Sequence, residues 1–183
     1  MDELLFNSIS EELAKEQASK MISSIKEWNW LGYLILPIII LLRSILVALC
    51  ISISMIFYEG IQFKFKNFIK ITLLGELIFL LVIFSKILYF SITDAKYSLE
   101  KVKQFHPLSY TNFLNLETIE PWLIYPLQTV NLFEIGYFFV LVYGLHKLLK
   151  NKYSKSFEIV AVSYGSGLVI WLGLVMFLTL NLT

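Results

Sequence analysis

Leu31-Gly32-Tyr33-Leu34-Ile35-Leu36-Pro37-Ile38-Ile39-Ile40-Leu41-Leu42-Arg43-Ser44-Ile45-Leu46-Val47-Ala48-Leu49-Cys50-Ile51-Ser52-Ile53-Ser54-Met55-Ile56-Phe57-Tyr58 is an apolar run broken by a single charge. A hydrocarbon core is crossed by about 20 helical residues. At about 42 Å as a helix, the run 31–58 is long enough to tilt, to kink near Pro37 or to project from the bilayer. Trp28, Trp30 and Tyr33 near one end and Tyr58 at the other suit the two membrane interfaces. Three further runs, near 68–90, 131–149 and 157–182, have the length and apolarity to do the same. The expected fold is an all-α integral membrane protein built as a four-span helical bundle.

Composition points the same way. Of the 183 residues, 57% are hydrophobic and 16% charged, against about 45–50% and about 25% in soluble domains. The excess is gathered into blocks, which excludes a water-soluble enzyme. The single cysteine, Cys50, excludes a disulfide framework, and a net charge of +1 excludes a strongly basic nucleic-acid binder.

Residues 1–30 read as a separate amphipathic segment before a transmembrane domain at 31–183. Its acidic start and polar stretch to Asn29 argue against a secretory signal, so the first span is expected to remain as an anchor. Ser8 and Glu11 have capping-box spacing. Leu13, Ala14, Ala18, Met21, Ile22, Ile25 and Trp28 then recur at spacings of three and four, predicting an amphipathic helix over 8–28. Its mixed charges suit packing better than attraction to anionic lipid.

The segment 91–130 differs. It is charged at first and then aromatic and proline-punctuated, with Phe105, Tyr110, Phe113, Trp122 and Tyr125 as candidate interface residues. The run from Pro121 to Pro126 is too short to span and reads as an interfacial or re-entrant piece against the bundle. Lys64, Lys66 and Lys70 cluster at one short loop, and Lys147, Lys150, Lys152 and Lys155 at another. Four spans put both loops on one side, which the positive-inside tendency assigns to the cytoplasm; Lys15, Lys20, Lys26, Lys96, Lys101 and Lys103 oppose it.

Ionisable residues inside spans are functional candidates because burying them is costly. Arg43, the only arginine, and Glu76 lie near the middles of the first and second spans. Counted from their connecting loop they differ in depth by roughly 10 Å. Lys86 with Glu134, and His146 with Glu158, match better in depth. Read structurally, these six are internal pairs that neutralise one another in a low-dielectric bundle. Read functionally, they are an ion or proton path with Glu76 as its most buried carboxylate.

In the last span, Ala161 and Gly165, and Ser163 and Gly167, have small-xxx-small spacing, and Gly136 and Gly144 share a face of the third. Such residues let helices approach closely in lipid, so the last two spans are expected to pack as a tight hairpin. Gly165-Ser166-Gly167 resembles the serine motif of rhomboid-type proteases, but Tyr164 replaces a required glycine and no histidine follows Ser166. No zinc-protease pattern, phosphate loop or nucleophile elbow is present, so neither an enzyme nor a cofactor is expected.

Two stretches carry a family likeness. One is Gly60-Ile61-Gln62-Phe63-Lys64-Phe65-Lys66-Asn67-Phe68-Ile69-Lys70, followed by Leu73-Leu74-Gly75-Glu76. The other is Asn131-Leu132-Phe133-Glu134-Ile135-Gly136-Tyr137, running to Val142-Tyr143-Gly144-Leu145, a lysine-rich loop and a small-residue span. Together they resemble the bacterial branch of the Yip (Rab-GTPase-interacting) membrane-protein family. The resemblance implies five spans, with 107–130 standing where the fifth would be; eukaryotic members of that family act in vesicle trafficking and engage small GTPases, and some bacterial relatives resemble permease-like proteins.

Abundant Ile, Lys, Asn and Phe beside one Arg suggest an AT-rich genome, hence a bacterial cytoplasmic membrane. The expected role is a non-catalytic, protein-binding subunit whose partners are the bilayer and other membrane proteins or a second copy, without nucleic acid. The rival is a small oligomeric transporter or channel subunit using Arg43 and Glu76.

Overall fold

Long apolar stretches with few helix breakers satisfy their backbone groups internally, and the computed structural model is helical over most of the described residues. It describes residues 15–56, 64–93, 102 and 105–182. The predicted cap at Ser8 and Glu11, Gly60 to Phe63, and the charged residues Asp94, Lys96, Glu100, Lys101 and Lys103 lie outside these. Five α-helices are present among the described residues: α1 (Lys15–Met55), α2 (Phe65–Ile92), α3 (Pro121–Thr129), α4 (Leu132–Leu149) and α5 (Tyr153–Leu182). All but α3 are long and apolar enough to cross a membrane.

From Lys15 onward the N-terminal segment and the first span form one continuous helix. α1 runs for 41 residues with Pro37 inside it, and no break separates the amphipathic stretch from the apolar one.

Helices α1, α2, α4 and α5 close into a ring in that order, with α5 returning to α1. Neighbours run antiparallel. As numbers rise from Gly136 to Gly144 on α4, the facing residues of α2 fall from Ile78 to Ile71. The short connections after α1 and after α4 therefore lie at one end, with Lys64, Lys66, Lys147, Lys150, Lys152 and Lys155 all exposed around it.

Helix α4 decides where the core sits. Asn131 caps it, its Oδ1 accepting from the Glu134 amide at 2.8 Å. Its C-terminus closes on Lys150 in the left-handed conformation (φ 51°), whose amide donates to the His146 carbonyl. Between these caps α4 has only 18 residues, about 27 Å. α1, α2 and α5 all run on past its start. Above that level no residue of 77–93 or 165–182 is buried, nor any residue of 23–42 whose side chain is described. Below it α1, α2, α4 and α5 all contribute to a shared core, including Val47, Ala48, Ile51, Phe68, Leu141, Val142, Leu145, Ile159 and Val160.

The segment 105–131 leads into α4. Leu108 adopts a left-handed conformation (φ 52°) that turns the chain after Pro107. Ser109 then lies antiparallel to Asn131, with the Tyr110 amide donating to the Val130 carbonyl and the Leu132 amide to the Leu108 carbonyl. This staple fixes the start of α4. Helix α3 packs along the upper part of α5, where Trp171 Nε1 donates to the Tyr125 hydroxyl at 3.0 Å.

Candidate functional site: an arginine between two carboxylates

Four helices deliver one polar side chain or more to a single level. Counted from the lysine-rich end, Arg43, Glu76, Glu134 and Tyr164 lie about 17–22 Å along their helices. Arg43 Nε stands 3.6 Å from Glu76 Oε1, and its Nη2 stands 3.3 Å from Glu134 Oε1. The guanidinium lies over the Phe79 ring at 4.0 Å and near that of Tyr137 at 5.0 Å. Aromatic faces carry partial negative charge and favour such contacts.

The two carboxylates are served unequally. Glu134 accepts from Arg43 with both oxygens, at 3.3 and 3.4 Å. It also accepts from the Tyr164 hydroxyl. It sits in the first turn of α4, where free amides and the helix dipole favour negative charge. Glu76 lies mid-helix, 8% exposed, and its Oε1 closes no hydrogen bond. The Tyr137 hydroxyl, fully buried beside it, closes none either.

Backbone contacts hold the level together. Thr72 Oγ1, one turn before Glu76, donates to the Ser44 carbonyl at 3.1 Å, tying α2 to α1 next to Arg43. A Cβ added at Gly75 would stand 2.6 Å from the edge of the Tyr137 ring, so only glycine lets that ring lie against α2.

The structure brings Arg43, Glu76 and Glu134 together. It separates the other expected pairs. No ion pair joins Lys86 to Glu134 among the described residues; Glu134 is held by Arg43 instead. The depth match assumed that α4 starts at the same level as α2 ends, whereas α4 starts deep. His146 does not meet Glu158. Its ring packs against Tyr153, and the exposed Glu158 pairs with Lys155 at 3.4 Å.

The small residues also pack elsewhere than expected. Gly136 and Gly144 face Ile78 and Ile71 of α2, Gly167 faces Cys50 of α1, and Gly165 faces open space. Ala161 is half-buried. Aromatic contacts fill the α4–α5 seam: Tyr137 with Tyr164 at 5.5 Å and Phe138 with Phe157 at 5.2 Å. Among the aromatic interface candidates, Phe105 stacks on Tyr89 at 4.1 Å, Trp122 is half-buried and Tyr125 is engaged by Trp171. Tyr110 and above all Phe113, 86% exposed, remain outward.

Tyr137, Tyr164, Phe79 and Gly75 complete the centre without having been singled out as candidates. Spacing held a clue, since Phe79 and Tyr137 each follow a glutamate of the centre by three residues and so share its helix face. Among the described residues, no three His, Cys, Asp or Glu side chains converge as metal ligands do. Compared with family models, curated proteins and solved structures, the chain matches none.

Proposed function

We propose that this is an integral membrane protein, held by α1, α2, α4 and α5 as spans, that serves as a non-catalytic component binding other membrane proteins. The observation that carries this reading is the missing fourth wall. α4 starts only at Leu132, just beyond Glu134, while its three companions continue with exposed apolar faces, among them Phe84, Leu88, Leu174 and Phe177. In lipid, helices associate by close packing and polar contacts. A three-helix opening with an aromatic segment at its edge offers a partner span that packing. The lysine-rich end suits a cytoplasmic face of a bacterial inner membrane. Kinship with the bacterial Yip branch belongs to this proposal and rests on the two stretches quoted above.

A photo-reactive residue placed at Phe84 or Leu174 in cells tests it. Discrete protein adducts are expected there, and lipid adducts alone at Leu74, an outward position of the packed half. Lipid adducts alone at all three sites would remove the support for a partner.

A second reading, a small proton-coupled transporter subunit, is favoured by Arg43, whose side chain is 36% exposed at the level of the polar centre. It requires a flux in proteoliposomes that Glu76→Gln abolishes while assembly stays intact.

A further inference from the structure

We propose that Glu76 is a proton-binding site, neutral in the resting protein, while Glu134 is the anion that balances Arg43. The argument begins with a charge count. One guanidinium faces two carboxylates at a level where the flanking helix surfaces are apolar. With both ionised the centre carries one surplus negative charge, and an uncompensated buried charge is costly enough that a proton normally removes it.

Geometry decides which carboxylate takes the proton. Every group facing the centre can be assigned by helix: Arg43 from α1, Glu134 and Tyr137 from α4, and Tyr164 from α5. Two of these, Arg43 and Tyr164, donate to Glu134, and its helix terminus adds a favourable field. Glu76 has the Tyr137 hydroxyl beside it and Arg43 Nε at 3.6 Å, a distance beyond a good charged hydrogen bond. Neither its Oε1 nor the fully buried Tyr137 hydroxyl closes a hydrogen bond of good geometry. A proton on Glu76 removes the surplus charge and gives this carboxyl a donor to offer beside the tyrosine oxygen. Binding and releasing the proton makes and breaks only the carboxyl O–H bond of Glu76. Its occupancy does not depend on the proposed partner, so it stands or falls separately from the role given above.

Infrared spectroscopy of the purified full chain in lipid nanodiscs reads this directly through the carboxylic-acid C=O stretch. At neutral pH, in potassium buffer without sodium, one protonated carboxyl per chain is expected. Glu76→Gln removes it, and Glu158→Gln, on the exposed surface, leaves it. Glu134→Gln also removes it, because Arg43 then has Glu76 as its only counter-charge and the last carboxylate ionises. Wild-type protein with no such band at neutral pH overturns the proposal, whether or not the variants fold. So does a band that survives Glu76→Gln or Glu134→Gln. A band abolished by exchanging potassium for sodium at fixed pH assigns the site to a metal cation and overturns it as well.

Discussion

The half of the molecule near the lysine-rich loops and the half beyond Glu134 are made of similar residues and behave differently. In the first, α1, α2, α4 and α5 interlock around Leu141, Leu145, Ile51 and Val160, each at most 1% exposed. In the second, α1, α2 and α5 continue as apolar helices and bury no residue among those whose side chains are described. Hydrophobicity therefore does not create the core. In a membrane every apolar face is satisfied by lipid, and a core forms only where a fourth helix is present and shapes fit. The polar centre marks the boundary, with the Glu134 end of α4 supplying one of its two carboxylates.

The sharpest way to break the packed half is to remove its cation. Arg43→Leu leaves Glu134 without its counter-charge, and breaking a buried pair costs about 3–5 kcal/mol. Thermal unfolding in mild detergent should show the largest drop of any single substitution here. An unchanged midpoint would mean that the centre does not hold the helices.

Glycines separate the halves next. Gly75→Ala and Gly144→Ala place a methyl 2.6 Å from Tyr137 and 2.5 Å from Ile71, overpacking worth about 1–3 kcal/mol. Gly165→Ala and Gly173→Ala meet nothing within 4 Å. They are expected to be neutral or to stabilise slightly through helix propensity. Equal losses at all four sites, in the same unfolding assay, would erase the distinction.

Leucine truncation gives a smaller contrast. Leu145→Ala opens a void in the packed half, but lipid lessens the transfer part of the cost, so about 1–2 kcal/mol is expected. Leu174→Ala, facing outward, should stay within about 0.5 kcal/mol. Comparable losses would show that Leu174 is packed.

The smallest effect belongs to the edge of the open half. Trp171→Phe deletes the bond to Tyr125, worth about 0.5–1.5 kcal/mol. It should loosen α3 without unfolding the bundle, seen as faster proteolysis within 105–130 at an unchanged midpoint. Unchanged proteolysis would mean that other contacts hold α3.

Much of this architecture can be read from sequence, because spans announce themselves by length and apolarity. The four long helices lie where the apolar runs predict them, with α1 extended to Lys15. Arg43 and Glu76 stand out for a simple reason: a charge inside an apolar run is conspicuous. Depth is harder to read. Counting residues from loops treats every helix as starting at the same surface, and Glu134 is near its helix start yet deep in the bundle. That error paired it with Lys86. Its true level is set by Leu108, Ser109 and Asn131, whose turn and short bridge depend on contacts between residues over twenty apart. The aromatic half of the centre is quieter still, since Tyr137 and Tyr164 look like ordinary span residues until the helices are placed.

Oxygen accessibility of spin labels along α5, in purified protein reconstituted in nanodiscs on a Cys50→Ala background, tests the division most directly. Labels at 156, 159, 160 and 163 should be shielded, in step with the helical repeat. From 168 through 172, 175 and 179 the shielding should weaken to half-burial, with no position as protected as those below. Protection as deep at 172 and 179 as at 160 would mean that a fourth helix lines the upper half, and the account built on a core ending at Glu134 would be wrong.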